Sequence, residues 1–169
     1  MDILIVDGYN MIGDWPELKR LKEKDLAAAR DRLIERMAEY QGYTDTKVII
    51  VFDAQYVKGI ERKYKNHQVD VIFTQQDETA DERIEKLANE LKNIKNQIHV
   101  ATSDYTEQRV IFGQGALRKS ARELQNELDV IDLEIERSLQ KSHSKKSKAR
   151  IQLSDEVAEI FEKWRRGEK

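Results

Sequence analysis

Four aspartates carry the chemistry this sequence suggests: Asp7, Asp53, Asp81 and Asp104. Three of them close short apolar runs. Ile3-Leu4-Ile5-Val6 leads into Asp7, Val48 to Phe52 into Asp53, and Gln97 to Thr102 into Ser103-Asp104. Asp81 sits in the first turn of a helical pattern that follows a further run, Val69 to Thr74. Carboxylates gathered at one place repel each other and raise each other's pKa unless a cation is present. Oxygen donors without cysteine, and with only three histidines in the chain, favour Mg2+ or Mn2+ over zinc. A hard cation held in this way activates water, orients a phosphate and neutralises developing charge, which is the apparatus of phosphodiester hydrolysis. Asn10, three residues after Asp7, is suited to a phosphate oxygen or a metal-bound water, or to bracing its own loop.

Each aspartate also has a plain structural role open to it. Asp7-Gly8 and Asp53-Ala54 suit turns, Asp81 suits a helix N-terminus on electrostatic grounds alone, and Asp104 suits a cap. Taken singly, structure outweighs function. Taken together, the balance reverses, because strands that alternate with helices place all four on one edge. Asp77, Glu78 and Glu85 flank the set with a weaker claim.

The elements that must do this positioning follow from periodicity. Lys47 to Asp53, Val69 to Thr74, Gln97 to Thr102 and Ala116 to Lys119 read with the first run as strands buried on both faces. Pro16 suits a first helical turn. Leu26, Ala29, Leu33, Met37 and Tyr40 mark one helix face ending near Gly42. Thr79 with Glu82 and Ser120 with Glu123 form capping boxes ahead of the faces Ile84, Leu87, Leu91, Ile94 and Leu124, Leu128, Ile131, Ile135, Leu139. Ala54 to Gln68 reads as a loop and Tyr105 to Phe112 as a short helix. Ser154 caps a last helix expected to bury Val157, Ile160, Phe161 and Trp164. Such βαβ units imply right-handed crossovers and an α/β three-layer sandwich with a mainly parallel sheet of four or five strands, plus C-terminal helices. Ligands of open sheets of this kind bind at the carboxyl ends of the strands.

Composition narrows the class. The 169 residues carry a net charge of −2, yet Arg137, Lys141, Lys145, Lys146, Lys148 and Arg150 form a stretch without one acidic residue. An acidic body and a basic strip are therefore hidden in a near-neutral total. The absence of cysteine excludes disulfides and thiolate chemistry. No apolar run approaches the ~20 residues of a membrane span and no leader pattern is seen, so no membrane partner and a cytoplasmic location are expected.

Val6-Asp7-Gly8-Tyr9-Asn10 resembles the DGxN signature of NYN-domain nucleases, relatives of the PIN endoribonucleases. Phe52-Asp53-Ala54, Glu78-Thr79-Ala80-Asp81-Glu82 and Thr102-Ser103-Asp104 follow in the order of that family. Gln108 to Glu123, with Phe112-Gly113-Gln114-Gly115-Ala116 and Ser120-Ala121-Arg122-Glu123, is similar to its YacP branch. The resemblance spans residues 1–140, which sets that nuclease-like domain apart from a basic flexible segment, 141–153, and a C-terminal helix, 154–169. It implies a metal-dependent endoribonuclease acting on single-stranded RNA, with ribosome-dependent mRNA decay as the setting and no organic cofactor. On the matching positions it implies catalytic roles for Asp7, Asn10, Asp81 and Asp104, and metal ligation by Asp7, Asp53, Asp81 and Asp104.

An acidic edge repels RNA, so cations elsewhere must hold the phosphates. Lys58, Arg62, Lys63, Lys65 and the strip Lys141 to Arg150 are candidates, with Tyr9, Trp15, Tyr56 and Tyr105 available for stacking on bases. A haloacid-dehalogenase phosphatase would need an aspartate where Tyr9 stands. A receiver domain would need a second acid beside Asp7 in place of Gly8. The competing class is a non-catalytic RNA- or ribosome-binding adaptor on the same fold.

Overall fold

The computed structural model describes residues 1–54, 68–103 and 115–167, without the side chains of 144–157 and 161. Five strands, β1 (Asp2–Asp7), β2 (Thr46–Phe52), β3 (Asp70–Phe73), β4 (Gln97–Ala101) and β5 (Leu117–Lys119), form one sheet ordered β3-β2-β1-β4-β5. Every pairing is parallel. Helices α1 (Gly8–Asp14), α2 (Pro16–Lys24) and α3 (Leu26–Tyr43) connect β1 to β2. Helix α4 (Ala80–Leu91) connects β3 to β4, and α5 (Ala121–Arg165) follows β5.

The strand order reverses direction beside β1. Right-handed crossovers that first step one way and then the other must put their helices on opposite faces. Alternation of strand side chains agrees. Ile3, Ile5, Ile49, Val51, Ile98 and Val100 pack with Ala80, Ile84, Leu87 and Ala88 of α4. Leu4, Val6, Val48, Ile50 and Phe52 take the other face and are equally buried, with α1 and α3 packed against β2. The result is the three-layer α/β sandwich that the alternating pattern implies.

Local chemistry explains the element boundaries. Pro16 opens α2, where its missing N–H costs nothing. Asp25 caps α3 by accepting from the Ala27 N–H. The Thr79 hydroxyl accepts from the Glu82 N–H at 3.2 Å and Ser120 from Glu123 at 3.1 Å, as the two capping boxes require. Helix α1 begins directly at Gly8, so the glycine turn expected after Asp7 is a helix start. Helix α4 ends at Leu91, one turn before the sequence pattern does, and Ile94 is fully exposed.

The C-terminal part differs most from expectation. Contacts divide the chain into Met1–Leu128 and Asp129–Lys169. The segment 141–153, expected to be flexible, and the helix expected to start at Ser154 both lie within the continuous α5. No proline or glycine occurs between residues 121 and 165, so nothing in the backbone chemistry stops the helix. Leu124, Leu128 and Ile131 are buried, whereas Ile135, Leu139, Ile160 and Trp164 are exposed. Burial of Ile160 and Trp164 is therefore not observed. No helix among the described residues is long and apolar enough to cross a membrane.

Candidate active site at the carboxyl ends of the strands

Asp7 is the last residue of β1, Asp53 follows the last residue of β2, and Asp81 lies in the first turn of α4. Together with Asn10, Tyr9, Thr79 and Ala80 they line one open cleft of about 370 Å³. Its position is at the carboxyl ends of the strands, beside the β1–β4 reversal, where open α/β sheets bind ligands. A larger hollow of about 590 Å³ lies at the amino ends of β1 and β2, lined by Met1, Asp2, Thr46 and Lys47 among others. Open α/β sheets bind their ligands at the opposite, carboxyl end, so the smaller cleft is the candidate.

Neither Asp7 nor Asp81 caps a helix through its side chain, although Asp81 does stand in the first turn of α4, where the helix dipole favours a carboxylate. Asp7 occupies the N-cap position of α1 without a side-chain capping bond. Asp81 is not the cap of α4, since Thr79 fills that role. Asp7 is buried to 7% exposure, while Asp53 is half-buried and Asp81 exposed. The cleft thus runs from a sheltered carboxylate to an open one.

Gly8 makes the depth of the cleft possible. A Cβ at this position would lie 2.3 Å from a Phe52 ring carbon, so glycine lets the start of α1 sit against the end of β2 without displacing that ring. Phe52 in turn lies 5.1 Å from the Tyr9 ring and 5.6 Å from the Phe73 ring, centroid to centroid. This aromatic row ties the start of α1 to the ends of β2 and β3, and its Tyr9 lines the cleft.

Asn10 reaches across the strand reversal. Its Oδ1 accepts from the Ser103 N–H at 2.8 Å and from the Ser103 hydroxyl. Its carbonyl is thereby occupied in bracing the loop after β4, which leaves the amide nitrogen as the group it can offer a phosphate. Glu78, close in sequence, has another task. It pairs with Lys86 at 2.8 Å and stands 3.9 Å from Arg83, and the Lys86 hydrogen bond holds its carboxyl below the usual range. Glu85 lies with Glu82, Lys86 and Asn89 in a separate surface hollow, and Asp77 is exposed away from the cleft lining.

Of the aromatics considered for stacking, Tyr9 lines the cleft, and Trp15 does not. Trp15 is buried and its indole N–H donates to the Ala121 carbonyl at 2.8 Å, which makes it a structural tie. Asp104, Tyr56, Tyr105, Lys58, Arg62, Lys63 and Lys65 lie outside the described residues, as do most of the loop 54–68 and the expected helix at 105–112.

Two neighbours of the site do not stand out in the sequence. Arg30 is buried in α3 and donates through Nη1 to the Tyr9 hydroxyl at 3.2 Å. Its spacing from Leu33 and Ile34 is the available signal, because it places a cation inside the buried stripe of the helix. Thr74, buried just past β3, accepts through Oγ1 from the Ala54 N–H at 2.9 Å. Nothing in its sequence context marks it.

The donor chemistry of the cleft lining fits a hard divalent ion: carboxylate oxygens with no imidazole or thiol. Among the described residues, no three acidic or imidazole side chains close on a single point. Mg2+ does not need them to, since it keeps several waters and is often held by one or two carboxylates with the substrate's phosphate.

The comparisons agree with this architecture. The profile of the YacP-like NYN domain matches residues 4–166. The protein YacP of Bacillus subtilis (strain 168) is 64% identical over 168 residues, 99% of each chain. The crystal structure of Rae1 (YacP) from Bacillus subtilis superposes with a TM-score of 0.79 at 65% identity, covering 99% of this chain and 96% of that one. That of its W164L mutant gives 0.77 at 62% identity, covering 85% of each chain. NYN domains form part of the PIN-like nuclease superfamily, whose members typically use divalent metals. By sequence profile, by a close relative and by three-dimensional likeness, this chain belongs to the YacP-like NYN domain family.

Proposed function

We propose that this protein is a cytoplasmic, metal-dependent endoribonuclease that cleaves single-stranded RNA, with mRNA engaged on the ribosome as its substrate. The observation that carries the reading is the shared cleft of Asp7, Asn10, Asp53 and Asp81 at the carboxyl ends of the strands. Three carboxylates have no use in a surface that only binds RNA, because they repel its phosphates.

In this reading Asp7, Asp53, Asp81 and Asp104 would hold Mg2+ or Mn2+, directly or through the waters the ion keeps. When bound, the ion supplies activation of the attacking water and neutralises charge on the phosphate. Asp7, sheltered from solvent, holds its carboxylate in one place. Asp81 at the open side meets solvent and substrate. The Asn10 amide hydrogen-bonds a phosphate oxygen while its carbonyl keeps the loop after β4 in place. Tyr9, seated on Phe52, offers a face for an unpaired base.

Phosphate contacts beyond the cleft fall to cations such as the strip from Lys141 to Arg150. Arg137, Lys141, Lys145 and Lys148 follow one another in the sequence at spacings of four, four and three.

A second reading has one observation in its favour. No three-carboxylate group closes among the described residues, which suits a non-catalytic RNA- or ribosome-binding adaptor on this fold. Purified protein, with and without ribosomes, incubated with RNA and Mg2+ or Mn2+ separates the two. Cleavage that disappears in both Asp7→Asn and Asp81→Asn supports the nuclease. Cleavage that survives both changes removes the catalytic assignment, and ribosome co-sedimentation without any cleavage by the unaltered chain establishes the adaptor.

A further inference from the structure

Asp53 is the one aspartate of the cleft that stands just past its strand, on a chain already leaving the sheet. Its neighbours on both sides are held by a single residue. The Thr74 N–H donates to the Phe52 carbonyl at 3.0 Å, and the Thr74 hydroxyl accepts from the Ala54 N–H at 2.9 Å. The first bond continues the parallel β2–β3 ladder, in which Phe52 pairs with Phe73. The next rung of such a ladder would run from the Ala54 N–H to the Thr74 main-chain carbonyl. A side-chain oxygen takes its place, so the ladder ends and the chain turns at Asp53 while both flanking peptides stay anchored.

Thr74 is buried, at 5% exposure, and stacking of Phe52 on Phe73 fixes the strand end it follows. The hydroxyl is therefore held by its surroundings and is not free to follow a moving chain. A half-buried Ala54 N–H deprived of it would keep its place poorly, because a shielded donor without a partner is costly.

We propose that Thr74 is a positioning residue for Asp53, aligning its carboxylate with the ion-holding cleft through the peptides on either side. The inference rests on the reading of the cleft as a divalent-ion site. It assigns to Thr74 no contact with the ion or with RNA. Partners that orient ligating groups in this way influence ion affinity as well as stability.

The test uses the full chain without RNA and reads two quantities, hydrogen exchange at the Ala54 amide and Mn2+ affinity by titration calorimetry. In Thr74→Val, which keeps the side-chain shape, Ala54 exchange is expected to rise at least about tenfold and Mn2+ affinity to fall about three- to tenfold. Thr74→Ser, which keeps the hydroxyl, is expected to hold both within about twofold of the unaltered chain. Thr74→Ala carries the same expectations as Thr74→Val if the valine variant does not fold. Unchanged Ala54 exchange in the hydroxyl-free variants overturns the clamp. Faster exchange with unchanged Mn2+ affinity overturns the positioning role and leaves Thr74 a purely structural residue. Absence of Mn2+ binding by the unaltered chain overturns the ion-site reading, and the inference with it; Ala54 exchange then still reports the hydrogen bond by itself.

Discussion

Asn10 and Ser103, 93 residues apart in sequence, are joined by a hydrogen bond from the Ser103 N–H to the Asn10 side-chain carbonyl at 2.8 Å. The bond crosses the place where the strand order reverses, and it links the start of α1 to the loop leaving β4. Asn10→Ala is expected to destabilise the fold by about 1 kcal/mol through loss of this tie. Cleavage should fall more steeply, about 10- to 100-fold, because the loop it braces leads to Asp104. Ser103→Ala keeps the main-chain donor and should be the milder change. Urea midpoints and cleavage rates on one RNA check both.

The aspartates of the cleft should behave differently from the acids beside it. Asp7→Asn and Asp81→Asn are each expected to slow cleavage by at least about 100-fold, the scale of removing an ion-holding or charge-stabilising group. Glu85→Gln, in a separate hollow, should leave the rate within about twofold. Chelation of divalent ions should abolish cleavage by the unaltered chain, and adding Mg2+ or Mn2+ should restore it.

Gly8→Ala introduces a Cβ into the space of the Phe52 ring. Overpacking of this kind is expected to cost about 1–3 kcal/mol. Phe52→Leu in the same chain should return part of that loss, giving a favourable coupling in a double-mutant cycle. Equal and additive losses would show that the two side chains do not compete for the same space.

Stability should depend on pH at both ends of the range. Burial holds His99 below its ordinary 6.5, so its neutral form is favoured in the folded chain. That contribution is present above about 6.5 and is lost as pH falls through the depressed value. Glu78, lowered from 4.5 by its hydrogen bond from Lys86, adds a loss further into acid. At the alkaline end, burial disfavours the Lys119 cation, but Glu127 and Tyr40 outweigh it and raise Lys119 above 10.5. Burial also raises Tyr40 above 10.0. Both contributions are present below the unfolded values and are lost as pH rises through the folded ones. Urea midpoints against pH should therefore fall at both ends. His99→Gln should flatten the slope just below pH 6.5, and Glu127→Gln the slope above about pH 10.

The basic stretch from Lys141 to Arg150 predicts an effect on RNA affinity. Lys141→Glu and Lys145→Glu are expected to weaken binding and to reduce the slope of log affinity against log salt by roughly 0.7 for each phosphate no longer neutralised. Lys146→Glu and Arg150→Glu should act in the same direction. Unchanged affinity and salt slope in all four variants would remove the strip from RNA binding.

Much of this protein is legible in the order of its residues. Apolar runs closed by aspartates mark the strands, and Thr79 and Ser120 mark helix starts by the oxygen they offer the backbone. Alternation of strand and helix then requires a parallel sheet with strand ends on one edge, which is why Asp7, Asp53 and Asp81 can be brought together from sequence alone. Local pattern does not record who receives a side chain. Trp15 reads as an aromatic near a strand end, and only the fold turns its indole toward the Ala121 carbonyl. Arg30 under Tyr9 and Thr74 beside Asp53 are likewise set by pairings between distant segments. The end of α4 at Leu91 and the exposure of Ile160 and Trp164 are not recorded in the apolar periodicity either. An amphipathic stripe states that burial is available, and tertiary packing decides whether it is taken.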